Sequence, residues 1–229
     1  MNTTPPSAGP RAFTLLELLV TLVLVSALSL LVLGTLQPAR SAALRAGQAT
    51  VANLLVAART HAVAAGRPAR LLVNFEPTGG GRPPRCLRYL VLQVESDTGW
   101  QSVADAFLPD GVYVVPGKGA VPAGLFGGGA GAWRREDGEP LRSTALRESN
   151  AVVQAVNGTG VERWSNFPLS AAGTTAAAGD LILATGRARA PGEFGPGESP
   201  VELSDPEQVR GFSVSQYGVA TAIDGRAGF

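Results

Sequence analysis

The sequence predicts an α+β protein in which a long N-terminal helix, transmembrane in its first half, packs on a C-terminal antiparallel β-sheet domain. Residues 18–39 contain no charged side chain over 22 consecutive positions, and a helix needs roughly 20 apolar residues to cross the hydrocarbon layer of a bilayer. Apolar residues then recur at helical spacing. From Arg70 onward, the apolar period changes to two, which is typical of β-strands.

The apolar stripe after the uncharged run extends the predicted helix from about Phe13 to Ala65. Its members are Leu44, Val51, Leu55, Ala58 and Ala62, at spacings of seven, four, three and four. Gln48 falls off this stripe and is expected on the polar side, as are Arg45, Asn53 and Arg59. Gly66 followed by Pro68 predicts the helix end, because Gly adopts the left-handed cap and Pro cannot continue the helix.

Short runs of alternating or β-branched residues predict the strands. They cover residues 70–76, 86–95, 111–115, 151–156 and 180–184, and a closing hairpin of 211–215 and 219–223 turns at 216–218. Long loops are expected over 78–84, 116–140, 171–179 and 186–206. The glycine-rich run 127–133 lacks the Gly-Lys-Ser/Thr of a phosphate-binding loop, so it is interpreted as a flexible loop.

Charge and chemistry argue against several function classes. Residues 13–229 contain 18 basic and 18 acidic residues, because Arg11 is the only one of the 19 basic residues that lies before residue 13. This balance gives no overall basic excess for nucleic acid. Cys86 is the only cysteine, so it is interpreted as a small buried apolar residue, and His61 is the only histidine. No catalytic, metal or cofactor site is predicted, and the protein is not expected to be an enzyme.

Glu17 is a charged residue directly before the uncharged run, and the residues around it form a motif. The run AFTLLELL, residues 12–19, resembles the processing site of type IV prepilins and type II secretion pseudopilins. The resemblance implies cleavage by a prepilin peptidase between Ala12 and Phe13, N-methylation of Phe13, and an assembly role for Glu17 as the fifth mature residue. Ala12 departs from the Gly usual at this position. A carboxylate at the membrane edge needs a partner, and the new amine of a neighbouring subunit or of the same one supplies it.

A second stretch resembles pseudopilin H and the FimT-type minor pilins. It comprises Ala58-Arg59, Ala62 and residues 66–68, and the closing hairpin adds to it. Together these resemblances imply a leader over 1–12, a transmembrane and assembly helix over 13–37, its amphipathic continuation over 38–66, and a β-rich periplasmic domain over 67–229.

The function predicted on this basis is a pilin-like structural subunit, of minor type, in a type II secretion system or type IV pilus. The expected partners are the prepilin peptidase, other pilins in a helical fibre and the assembly platform of the bacterial inner membrane. The alternative is a single-pass, membrane-anchored binding domain that forms no fibre. DNA contact, known in some FimT-like pilins, is disfavoured by the interleaved acids.

Overall fold

The computed structural model describes residues 15–75, 85–117, 119, 121–148, 153–154 and 161–229. The fold is α+β, with antiparallel sheets, as predicted. The chain divides into two compact units, Met1–Ala39 and Arg40–Phe229. The helix α1 (Leu15–Ala65) has 51 residues and contributes to both units.

The β-strands all belong to the second unit. They are β1 (Ala69–Asn74), β2 (Tyr89–Ser96), β3 (Gly99–Phe107), β4 (Val112–Val114), β5 (Arg147–Glu148), β6 (Val153–Gln154), β7 (Val161–Glu162), β8 (Trp164–Leu169), β9 (Gly179–Ala188), β10 (Val201–Leu203), β11 (Val209–Val214) and β12 (Ala220–Asp224). Among the described residues, the first sheet has the order β3-β2-β1-β8-β5. The second has the order β10-β9-β11-β12, with β4 also on β9, and β6 pairs with β7.

The predicted C-terminal stop of α1 is present in atomic detail. The helix ends at Ala65, and Gly66 has the left-handed φ of 61°. The amide of Gly66 donates to the carbonyl of Val63 at 3.3 Å, and the amide of Arg67 donates to that of Ala62 at 3.1 Å. These two bonds form a Schellman cap, which satisfies carbonyls that the last helical turn leaves without partners.

The packed half of α1 forms one core with both larger sheets. Ala58 and Ala62 are fully buried, and their small side chains let the helix lie close to the strands. The helix contributes Leu44, Val51, Leu54, Leu55, Ala58 and Ala62 to this core; the strands contribute residues such as Leu71, Leu90, Phe167, Leu183 and Phe212. The predicted apolar stripe is therefore the buried face of the second half of α1.

Alternation along β1 and β2 separates two apolar faces, as the period of two predicts. Leu71 and Leu92 are paired in register and face the helix core. Leu72 and Val91, which are also paired, belong to a separate cluster on the opposite face with Trp164. Both faces of the first sheet are thus buried where β1 and β2 meet.

Gln48 lies on the buried side of α1, so its expected place on the polar side is wrong. Its side chain is 9% exposed. Its amide nitrogen donates to the carbonyl of Gly211 at 2.9 Å and to that of Ile223 at 3.1 Å, while its amide oxygen accepts from Arg210 at 3.3 Å. Gln48 therefore fastens the closing hairpin, β11 and β12, to the helix.

Two of the predicted loops contain more structure than expected. In the 116–140 segment Trp133 is 1% exposed and packs on the second sheet, and its indole N–H donates to the carbonyl of Gly127 at 3.0 Å. The segment 127–133 is a loop, as interpreted, with residues 128–132 exposed, but it is anchored to the second sheet at Trp133. In the 186–206 segment, β9 continues to Ala188 and pairs with β10. The predicted loop 78–84 lies outside the described residues.

Candidate assembly surface

The first described turns of α1, residues 15–26, present an exposed apolar surface. Every residue in this stretch is exposed. The nine large apolar side chains are Leu15, Leu16, Leu18, Leu19, Val20, Leu22, Val23, Leu24 and Val25, with exposed fractions from 49% at Val20 to 84% at Leu15. Soluble monomers rarely expose contiguous apolar surface of this kind, so it indicates a surface that binds protein or lipid.

The hydroxyl groups within this surface are satisfied by the helix itself. The side chain of Thr21 donates to the carbonyl of Leu18 at 2.9 Å, and that of Ser26 donates to the carbonyl of Leu22 at 2.8 Å. Such bonds to the preceding turn are the usual solution for Ser and Thr within a helix. They leave no hydroxyl of this stretch that needs water, so the surface is compatible with an apolar neighbour.

Glu17 is the exception in this stretch. It is the only charged residue between positions 15 and 26, and it lies in the first described turn of α1. Its side chain is exposed. A carboxylate near a helix N-terminus is favoured by the helix dipole. The arrangement thus places one anionic group on an otherwise apolar helix surface.

Two of the predicted site residues cannot be placed against this surface. Ala12 and Phe13 lie outside the described residues, and the predicted cleavage between them stays a prediction. The predicted transmembrane helix, 13–37, also begins outside them. Within the part of the chain that the structure describes, no helix meets the combined length and hydropathy needed to cross a membrane.

Other candidate chemistry in the described part of the chain does not form a site. His61 is exposed on α1, and Cys86 is buried at 5% exposure. No group of three or more His, Cys, Asp or Glu side chains among the described residues has the geometry to bind a metal. Five arginines that could contribute a basic surface for DNA are each engaged by acids: Arg135 by Asp180, Arg187 by Glu193 and Glu202, Arg189 by Glu198, Arg210 by Asp224, and Arg226 by Glu207.

The sequence pattern did not indicate β3, which is an edge strand of the first sheet with an aromatic surface. Trp100 is 38% exposed and Phe107 is 44% exposed. The guanidinium of Arg70 lies 4.1 Å from the centre of the Trp100 ring, and the Phe107 ring stacks on Tyr89 with ring centres 4.6 Å apart. The aromatic residues in GWQSVADAF were the available signal, but they do not alternate strictly.

The comparisons with known proteins give one structural likeness. No family model matches the sequence, and no curated protein matches it. Among solved structures, the chain is similar to the minor pseudopilin EpsH from the type II secretion system of Vibrio cholerae. The two are 14% identical, the TM-score is 0.38, and the likeness covers 80% of this chain and 96% of that chain. A TM-score this low does not establish a common fold.

Proposed function

We propose that this chain is a pilin-like structural subunit, of the minor type, that a prepilin peptidase cuts between Ala12 and Phe13. After cleavage it enters a fibre of a type II secretion system or type IV pilus from the bacterial inner membrane. The observation that carries the proposal is the exposed apolar helix surface of residues 15–26, with Glu17 as its single charge. The processing motif precedes this surface directly in the sequence.

The size of the exposed surface explains why this helix needs neighbours. Full burial of a Val or Leu side chain contributes about 1.5–3 kcal/mol. Burial of the nine partly exposed side chains of this surface therefore contributes a favourable free energy on the order of 10 kcal/mol. Lipid supplies this cover before assembly, and the corresponding helices of other subunits supply it in a fibre. The same helix can thus serve as membrane span and assembly element in turn.

Glu17 gives the assembly its register. A carboxylate within hydrocarbon costs about 2.5–3.5 kcal/mol at a helix centre, so it is retained only with a partner. The proposed partner is the methylated amine of Phe13, on a neighbouring subunit or on the same one. A pair of opposite charges in an apolar surrounding is specific for position, because displacement along the helix leaves both charges without compensation.

The first test is the mass of the N-terminus after expression with a prepilin peptidase and without one. We expect a chain that begins with N-methylated Phe13 only when the peptidase is present. Ala12→Gly serves as a positive control, because it restores the residue usual before the cut and is expected to speed cleavage. A chain that keeps Met1 in both cases contradicts the proposal and favours the membrane-anchored domain without a fibre.

The second test separates the role of Glu17 from processing. We expect Glu17→Gln to leave cleavage intact and to reduce incorporation into fibres at least tenfold, as measured by cross-linking to other subunits. Glu136→Gln, which removes the same charge from an exposed loop, is the matched control. Equal incorporation of the two variants would show that the carboxylate of Glu17 has no part in assembly.

A further inference from the structure

A small pocket in the second unit is lined by several charged and hydroxyl-bearing residues, among them Arg40, the first residue after the uncharged run. Its volume is about 120 Å³. It is bordered by α1, by the turn between β3 and β4, by the end of β9 and by the residue that follows β10. The lining residues are Arg40, Ala43, Asp110, Gly111, Thr185, Gly186, Arg187 and Ser204.

Thr185 brings a buried hydroxyl to this pocket without a protein partner. The residue is 4% exposed, and its Oγ1 atom makes no hydrogen bond. Its backbone carbonyl, in contrast, accepts from the amide of Ser204 at 2.9 Å. A buried polar group without a partner is destabilising, and native proteins rarely keep one unless water or a ligand completes it. The hydroxyl of Thr185 therefore has no acceptor among the described residues, and the residue borders this pocket.

Arg40 is the lining cation whose charge is not compensated. Asp110 is engaged by Arg88 at 2.6 Å, so its carboxylate is neutralised. Arg187 is engaged by Glu202 at 2.7 Å and by Glu193 at 3.0 Å. Across the described residues, no carboxylate lies within ion-pair distance of Arg40. The pocket thus combines an exposed guanidinium that has no ion-pair partner among the described residues with a buried hydroxyl that has no acceptor.

We propose that this pocket binds a phosphate group, with the guanidinium of Arg40 and the hydroxyl of Thr185 donating to its oxygens. A guanidinium presents its N–H groups as a fork that matches two phosphate oxygens. Because a phosphate is tetrahedral, it has further oxygens that can accept from the Thr185 hydroxyl in another direction. A carboxylate is planar and has only two oxygens, so it fits two such donors less well. The pocket is far smaller than the 300 Å³ or so at which pockets begin to enclose whole drug-sized ligands, so it accommodates a head group.

Two sources can supply this phosphate. One is inorganic phosphate or a soluble phosphate ester. The other is the head group of a phospholipid, and this source depends on the proposed function: if the uncharged run 18–39 crosses the bilayer, Arg40 follows directly at the depth of the head groups. The phosphate site itself does not depend on the proposed function, because its two donors belong to the second unit.

The site is tested with the full chain in dodecyl maltoside, a detergent without phosphate. Inorganic phosphate is titrated against thermal unfolding, which tryptophan fluorescence reports, with sodium chloride at matched ionic strength as reference. We expect phosphate to stabilise the natural chain. Thr185→Val should weaken phosphate binding about fivefold, the loss of one net hydrogen bond. Arg40→Gln should weaken it at least about tenfold, the loss of a charge-assisted bond.

Arg45→Gln is the matched control for Arg40→Gln. It removes the same charge from an exposed position five residues further along α1, outside the pocket. Phosphate binding by this variant should stay within about twofold of the natural chain. No stabilisation of the natural chain by phosphate overturns the proposal, and so does equal binding by Arg40→Gln and Arg45→Gln. The latter comparison stays decisive even if Thr185→Val fails to fold.

Nanodiscs distinguish the two sources. In discs of phosphatidylglycerol, a lipid source predicts stabilisation that requires Arg40 and does not increase with added phosphate. In discs of a galactolipid, which contains no phosphate, a soluble source predicts stabilisation that appears only when inorganic phosphate is added. Absence of an Arg40-dependent effect in both discs overturns the site. Cleavage before Phe13 is measured separately, so its failure rejects the pilin function while an Arg40-dependent phosphate effect still stands.

Discussion

The bond between Gln48 and the closing hairpin gives the most direct prediction about stability. Gln48→Met keeps the length of the side chain and its helix propensity but removes all three hydrogen bonds. A net hydrogen bond contributes about 0.5–1.5 kcal/mol, and a buried group that loses its partner costs about 1–3 kcal/mol. We therefore expect the free energy of unfolding of the second unit to fall by about 2–4 kcal/mol.

Urea unfolding of the full chain, followed by tryptophan fluorescence, measures this loss. With a slope of about 2 kcal/mol per molar urea, the midpoint should fall by about 1–2 M. Asn53→Met removes an amide from an exposed position on the same helix and should change the midpoint little. If both variants have the same midpoint, the buried amide does not hold the hairpin, and the reasoning is refuted.

A double-mutant cycle tests whether Arg210 belongs to the same network. Arg210 donates to the amide oxygen of Gln48 and also pairs with Asp224. Residues that share a hydrogen-bond network show coupling energies of about 0.5–3 kcal/mol. We expect the cost of Gln48→Met to be smaller by at least 0.5 kcal/mol in an Arg210→Met background. Strict additivity would place Arg210 outside the network.

Three further predictions concern the second unit. Gly47→Ala should lower the urea midpoint, although it gains about 1 kcal/mol of helix propensity, because its Cβ would lie 2.9 Å from Val112 Cγ1; it should raise the midpoint in a Val112→Ala background. Asp180→Asn should cost about 2–4 kcal/mol of unfolding free energy, because it leaves the largely buried Arg135 without its ion-pair partner. Burial raises the pKa of the Tyr113 hydroxyl above its ordinary value of 10.0. The folded state therefore favours the neutral tyrosine, and the stability that depends on this is complete below pH 10.0 and is lost as the pH rises and the hydroxyl ionises. Tyr113→Phe should accordingly flatten the fall of the thermal midpoint at alkaline pH.

Each of these has a contrary result. A midpoint for Gly47→Ala that rises in both backgrounds would show that the helix and β4 separate freely at this contact. An unchanged midpoint for Asp180→Asn would show that Arg135 is satisfied without the ion pair. An equally steep alkaline fall in Tyr113→Phe would assign that fall to other groups.

The sequence predicted those parts of the fold that local chemistry determines. The end of α1 was predictable because Gly66 and Pro68 each act within one turn. The two faces of β1 and β2 were predictable because alternation needs only the strand itself, as Leu71 and Leu72 show. The closing hairpin, now β11 and β12, follows from the turn residues between two short β-forming runs.

The strands that the sequence did not predict are those whose formation depends on pairing with residues far away in the chain. The sequence pattern did not predict β8, which contains Pro168. This proline lies beyond the part of β8 that pairs with β5, where only β1 adjoins it in the described sheet. A proline is tolerated where its missing N–H has no ladder partner. Gln48 was misplaced for a similar reason, since its partner carbonyls are 163 and 175 residues away.

The functional residues also fall into those that the sequence reveals and those that only the structure reveals. Glu17 stood out in the sequence because one charge in an apolar run is a local signal. Thr185 could not stand out, because nothing in the sequence shows that a threonine at the end of a strand has a buried hydroxyl without a partner. Only the convergence of α1, the β3–β4 turn and β9 brings Arg40 and Thr185 to one pocket.

The two halves of α1 differ in what covers their apolar side chains. Between Leu44 and Ala62 the apolar side chains are covered by strands of the same chain, so this half is stabilised without a partner. Between Leu15 and Val25 the apolar side chains are larger and exposed. Because burial of apolar surface is favourable wherever the cover comes from, this half would be stabilised by a cover that the described residues do not supply. Under the proposed function, lipid tails cover these side chains before assembly and the helices of neighbouring subunits cover them in the fibre, where the amine of a processed subunit supplies a positive charge for Glu17.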